Sequence, residues 1–366
     1  MQVDFHHAVT YIAARCAGFS SREASVIAYA AQYVDDASNS GVVRFEGGIQ
    51  YSRISSAHRL VDARNFRELA NLLVWIPFHF LPGNGGEKTG ENMDGSFIEK
   101  LRCTPDSHVA KDMIASCIAD CRKPYALHRL GITMHVYADT FAHQGFAGVC
   151  HEINDVTELQ GKRVKKIKWE RFRERFLSGF IETVLPLGHG AVLAYPDLPF
   201  AQWSYRNEYL DRSQRSSEGV RDNPSLFMRA VDSMYTAMTE YRKQAYGVAI
   251  SPRIGCADRE RIEHNLRHFT DSDGRQRHGK WCASVAKGDF TFAEKGAEHL
   301  SYVPKGKGSW KHAALETEKA KDDANEIFPY HDDFLTSDWK LFHDALQKHR
   351  FVVLRDILPR YGICGA

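Results

Sequence analysis

The sequence has no long uninterrupted apolar run, which excludes a membrane-spanning helix. It has no surplus of charge: 48 Lys and Arg face 46 Asp and Glu. A formal charge of +2 over 366 residues gives no general reason to bind nucleic acid or an anionic membrane. No C-x-x-C pair with zinc-ribbon spacing occurs among the eight cysteines, so they read as free thiols in a reducing compartment. No internal repeat or low-complexity tract stands out. The glycine-rich stretch 82–95 lacks a phosphate-loop pattern. The first residues, Met1 to His7, carry neither a basic segment nor an apolar one. The expectation is a cytoplasmic protein without a signal peptide, with signal-independent secretion as a further route.

What is present is apolar residues, aromatics and histidine. Hydrophobic residues make up 43% and aromatics 11%, enough for a sizeable core and against global disorder. Eighteen histidines supply the usual metal ligand and neutral-pH acid–base group. Apolar spacing predicts helices over 5–17, from Ser20 or Ser21 to Val34, and over 64–76, 106–121, 124–143, 169–186, 216–246, 310–324 and 332–357. Glycines Gly47 and Gly48 between two short extended runs predict a hairpin over 42–53. Residues 161–168 read as a solvated loop, and 250–308 as polar with few clear periods. The fold class expected is therefore mostly α: a multi-helix bundle with a small β-hairpin and a more irregular C-terminal region. A composition shift near 250 suggests a helical domain, 1–250, and an extension, 251–366, packed on it.

The chemistry concentrates in LHRLGITMHVYADTFAHQGF, Leu127 to Phe146. His135, Asp139 and His143 stand at i, i+4 and i+8, within about 80° on one helix face, and His128 shares that face. The apolar neighbours Leu130, Ile132, Met134, Val136 and Phe141 predict that this helix is buried. Buried histidines in a row need partners, and a divalent transition metal accepts such nitrogen and oxygen donors. One helix spreads these ligands too far for one ion, so the spacing suggests two, with Asp139 between them. Asp35 and Asp36 end the second helix, where carboxylates face the negative end of the dipole and call for a cation or donor. The short connection between the first two helices puts them near His6 and His7. His79, in WIPFHFLPG, and His189, between glycines in LPLGHGAV, are further candidates. His151 with Asp155 shares an i, i+4 spacing, and His58 is a weaker candidate. Each of these alone is more often an ordinary core or surface residue.

LGITMHVYADTFAH resembles the central helix of the zinc-dependent phospholipase C and single-strand nuclease superfamily. There a leucine–glycine pair precedes a histidine, an aspartate and a second histidine. FHFLPG with its glycine-rich sequel is similar to a second segment of that superfamily. The whole chain is also similar to an uncharacterised bacterial family that opens with the aspartate–phenylalanine–histidine–histidine seen at Asp4 to His7. The superfamily resemblance implies an all-helical phosphoesterase with two or three zinc ions. His135, Asp139 and His79 would hold one zinc. Asp139 would bridge to another, held by His6 or His7. His143, with His189, would hold the remaining one. Asp35 or Asp36 would serve as general base or ligand. The chain departs from the superfamily in three ways. His143 follows Asp139 by four residues rather than six. The ligating N-terminal tryptophan is absent. The later histidine–glutamate pair is matched only by His151 with Asp155 or His189 with Asp197.

The reaction expected is phosphodiester hydrolysis by metal-activated water, with zinc or another divalent ion, on a phosphoester or phospholipid headgroup at a membrane surface. Trp75, Trp203 and the 82–95 loop are candidates to line the approach. A nuclease of the same fold would use the basic segment Lys162 to Arg175 with Trp169 and Phe172 interleaved, though the nucleic-acid signal is weak. A delivered toxin would use the same chemistry and implies an inhibitor protein. A non-catalytic metal-binding protein would have every coordination position filled by protein.

Overall fold

Residues 1–57, 68–91, 96–162, 192, 194–212, 216–293, 296, 298–320, 323 and 325–364 are described by a computed structural model. The chain is mostly helical, with two small three-stranded sheets. Asp4–Val9 forms a π-helical turn, and Thr10–Cys16 continues it as α1. Gly18, at φ +82°, lets the chain turn back. Ser20 then caps α2 (Ser21–Asp36). Its hydroxyl accepts from the Glu23 N–H, and the Glu23 carboxylate accepts from the Ser20 N–H.

The expected hairpin forms from β1 (Gly41–Phe45) and β2 (Gln50–Arg53). α3 (Glu68–Phe78) runs through Pro77 in its last turn before the chain reaches His79. The short α4 (Phe97–Lys100) leads to α5 (His108–Ala119), capped by Ser107. Next comes α6 (Ala126–Ala142), which carries the histidine stripe. Every residue of α6 except Leu127 is buried, as expected of a helix with apolar residues all round. α2 crosses it closely because position 131 is glycine. A Cβ there would lie 2.3 Å from the Ile27 carbonyl oxygen.

Several expectations are corrected. A second sheet forms from β3 (Thr157–Lys162), β4 (Gln202–Arg206) and β5 (Val220–Asp222), so 161–162 end a strand rather than open a loop. Between β4 and β5 lies α7 (Glu208–Arg212). The helix expected over 216–246 starts only at α8 (Asn223–Tyr246), where Pro224 sets the first turn, and Gly247 ends it at φ +70°. The polar stretch after 250 holds α9 (Cys256–His268) and α10 (Gly274–Ala286). Their periods are faint because each buries a narrow stripe, Ile262 with Leu266 and Trp281 with Val285. α11 (Trp310–Leu315) stops nine residues short of the expected end, at Glu316 with φ +52°. Ile327–Phe328 adds β6 to the hairpin in parallel. Ser337 caps α12 (Asp338–Phe351), and a second π turn follows at Val352–Ile357. The helix expected over 169–186 lies outside the described residues.

Two apolar clusters surround α6. One joins α1, α2, α5 and α8 and takes in Trp281 and Val285 of α10. The other joins Val34 and Phe45 to Trp339, Phe342 and Leu346 of α12. Residues on both sides of 250 thus share both clusters. Among the described residues, no helix is long and apolar enough to cross a membrane.

Candidate metal centre

Five segments deliver side chains to one point. The last turns of α6 carry His135 and Asp139, and His143 caps its C-terminus. The end of α2 supplies Asp35, the residue after α3 supplies His79, and the π turn supplies His6. Asp197, at the end of the 3-10 turn Tyr195–Asp197, completes the set. The Asp139 carboxylate is the hub. Its Oδ2 lies 3.3 Å from His135 Nε2, 3.4 Å from His79 Nδ1 and 3.8 Å from His143 Nδ1. Its Oδ1 lies 3.2 Å from His6 Nε2 and 2.9 Å from the Met1 nitrogen. Asp35 Oδ1 stands 3.8 Å from both His79 Nδ1 and His135 Nε2. Asp197 Oδ1 is 3.6 Å from His143 Nε2 and 3.0 Å from the Met1 nitrogen.

Backbone carbonyls fix the imidazole tautomers. His135 Nδ1 donates to the Ala31 carbonyl at 2.8 Å, so its Nε2 carries a lone pair. His79 Nε2 donates to the Ser56 carbonyl at 2.9 Å, which turns its Nδ1 inward. These two nitrogens face each other at 3.2 Å, with the Asp139 and Asp35 oxygens beside them. His143 Nδ1 donates to the His79 carbonyl at 2.8 Å, which turns its Nε2 toward Asp197. Outer carbonyls that orient imidazoles in this way are the usual support of metal-ligating histidines. His6 differs. Its ring stacks on His135 at 3.7 Å, it is fully buried, and neither ring nitrogen makes a hydrogen bond.

Electrostatics favour a cation over an added proton. Burial, then the neighbouring His6, drives the His135 pKa down to about 4. Burial likewise takes His6 to about 4, against the pull of Asp139. Both rings are therefore neutral at pH 7, which leaves the His135 Nε2 lone pair available to a positive ion. Burial alone would raise the Asp139 pKa. The Met1 amine, then His143, His135 and His6, outweigh it and hold the carboxyl well below the usual range. Two groups, His6 with His135 and Asp139, and Asp35 with His79 and His135, are close enough to hold a metal ion. Neutral imidazole and carboxylate donors fit a divalent transition metal.

Other candidates point elsewhere. His7 turns away from Asp139, because its Nδ1 meets His278 Nε2 at 2.9 Å. Asp36 accepts from the Tyr302 hydroxyl at 2.7 Å and lies outside the cluster. His128 bonds Asp338 at 2.9 Å, two turns down α6. His151 caps its own 3-10 turn by accepting from the Ile153 N–H. Trp75 lies tilted against His79, whereas Trp203 donates to Asn223 in the sheet core. His189, His58, Trp169 and Phe172 lie outside the described residues. Asp197 was legible only as one half of a loose pair. The Ala31, Ser56 and His79 carbonyls left no signal in side-chain types.

No curated protein and no solved structure matches the chain. The resemblance of α6 to the phospholipase C and nuclease helix therefore rests on its own residues. One family profile does match, over residues 1–357, and it is described as a family of unknown function. On that coverage, the chain belongs to the DUF6765 family.

Proposed function

We propose that the protein is a zinc-dependent hydrolase of phosphoesters, acting on a phosphodiester in the manner of a phospholipase C. The observation that carries this reading is the meeting of two inward-facing imidazole nitrogens, His135 Nε2 and His79 Nδ1, 3.2 Å apart beside two carboxylates. One ion would take His79 and His135 with Asp139 Oδ2, and Asp35 would stand beside it at the rim. A second would take His6 with Asp139 Oδ1, and His143 and Asp197 stand next to it. Zinc suits this mixture of imidazole and carboxylate. Bound divalent cations there would supply Lewis acidity to a phosphoryl oxygen and ease ionisation of an attacking water.

The chain's own residues divide the remaining work. Asp139, buried and ionised, holds negative charge at the hub. The Ala31 and Ser56 carbonyls hold His135 and His79 in the tautomers that face inward. Asp35 is the solvent-facing member, with 32% of its side chain exposed. Desolvation raises its pKa, against the pull of His135 and then His79, which suits a carboxylate that accepts a proton from water. A fully buried set would suit a structural ion. A partly exposed carboxylate at the rim favours a site with an open position.

The test is hydrolysis of bis(p-nitrophenyl) phosphate by zinc-loaded protein, with the Asp35→Asn variant beside it. The variant is expected to keep most of its zinc and lose about 10²- to 10⁴-fold in kcat. Full activity in Asp35→Asn would remove its role as base. No turnover of any phosphoester by the zinc-loaded protein would contradict the hydrolase reading.

A further inference from the structure

α10 comes from the far end of the chain and grips the π turn that carries His6. Three of its residues make the contact. Gly274 lies so close to Gln2 that a Cβ would sit 2.4 Å from the Gln2 Oε1. Arg277 holds Asp4 in a fork, Nε to Oδ2 at 2.5 Å and Nη2 to Oδ1 at 3.1 Å. Its other donors reach Gln2 Oε1 at 2.8 Å and the Asp271 carbonyl at 2.6 Å. His278 meets His7 at 2.9 Å. The Arg277 and Asp4 side chains are 0% and 1% exposed.

A buried ion pair adds little net stability, because desolvating both charges offsets their attraction. What a two-bond fork supplies is a fixed geometry. The residue it fixes stands two before His6, in a π turn, a backbone form that is rare and concentrates at functional sites. His6 is located by its stack on His135 and by one contact to Asp139, 3.2 Å from its Nε2. The turn therefore sets where His6 lies, and Arg277 sets the turn.

We infer that Arg277 is a positioning residue of the metal centre, acting through Asp4 to hold His6 against Asp139. α10 is thereby a working part of the site. Its purpose rests on the metal reading above, but its test does not.

The test labels histidine isotopically and follows the His6 ring resonances in metal-free protein, assigned by their loss in His6→Gln. Stacking at 3.7 Å displaces them by ring current in the wild type. The double variant Asp4→Leu, Arg277→Met replaces the pair with apolar groups and is expected to keep a cooperative melt. Its His6 signals are expected at the position of an unstacked ring, with those of His349, buried on α12 against the Pro77 carbonyl, unmoved. Cobalt affinity at the His6 group is expected to fall about 10- to 100-fold. His6 signals at the wild-type position in the double variant would overturn the inference. Should that variant fail to fold, Arg277→Lys keeps the charge, loses the fork and gives the same readout. A wild type that takes up no cobalt contradicts the metal centre, and the His6 shift still decides whether Arg277 positions it.

Discussion

His128 and His135 share one face of α6 but not one environment, and the difference is testable at the scale of single residues. His135 offers a bare nitrogen to Asp139, whereas His128 is engaged by Asp338 at the protein's edge. His135→Ala is expected to abolish tight zinc binding, and His128→Ala to leave it within about twofold, since substitutions away from a site are usually mild. Titration with zinc against a competing chelator checks both. Equal losses would mean that the whole stripe is a polar seam rather than a site. The same scale separates His6 from His7. A π turn shifts the facing of successive residues in a way that regular periodicity does not encode, so the sequence left the two open. Asp35 and Asp36 were likewise indistinguishable until Tyr302, distant in sequence, engaged Asp36.

The contact between α2 and α6 decides whether the Ala31 carbonyl reaches His135. Gly131 permits that contact, and Ile27, Ala30 and Ala31 line the opposite surface. Gly131→Ala is expected to destabilise by about 1–3 kcal/mol through overpacking and to weaken zinc binding with it. Gly279, in α10, is the contrast. A Cβ there meets nothing within 4 Å, so Gly279→Ala is expected to stabilise by about 0.5–1 kcal/mol through helix propensity alone. Thermal melts of the two variants should move in opposite directions. A stable Gly131→Ala protein with unaltered zinc affinity would show that the helices have slack. Elements such as α2 and α6 were legible because local caps and apolar stripes agree with their packing. The sheet of β3, β4 and β5 was not, because its short strands are polar and pair across long separations. Asp197 reaches the site by that same non-local route.

At the scale of the whole molecule, the fold keeps several histidines neutral. His6 and His135 titrate at about 4 and His349 at about 3, chiefly because burial disfavours their charged forms. Each folded pKa lies below the ordinary 6.5 of the unfolded chain. Their contribution to stability is therefore fully present above pH 6.5 and is lost as pH falls toward 4 and then 3. The urea midpoint of metal-free protein should decline steadily from pH 7 to pH 4.5, a range in which most carboxylates stay ionised. A flat profile would mean that these rings are solvated. The residues after 250 contribute apolar surface to both clusters and grip the N-terminal turn, although composition alone set them apart.

The central claim is that side chains from five segments converge to hold metal. Elemental analysis of protein purified without chelators, beside Asp139→Asn, tests it most directly. About two zinc ions per chain are expected in the wild type and their loss from the variant, since removing the hub charge disarms both groups. A wild type that carries no tightly held metal, and takes up none when zinc is supplied, would contradict it.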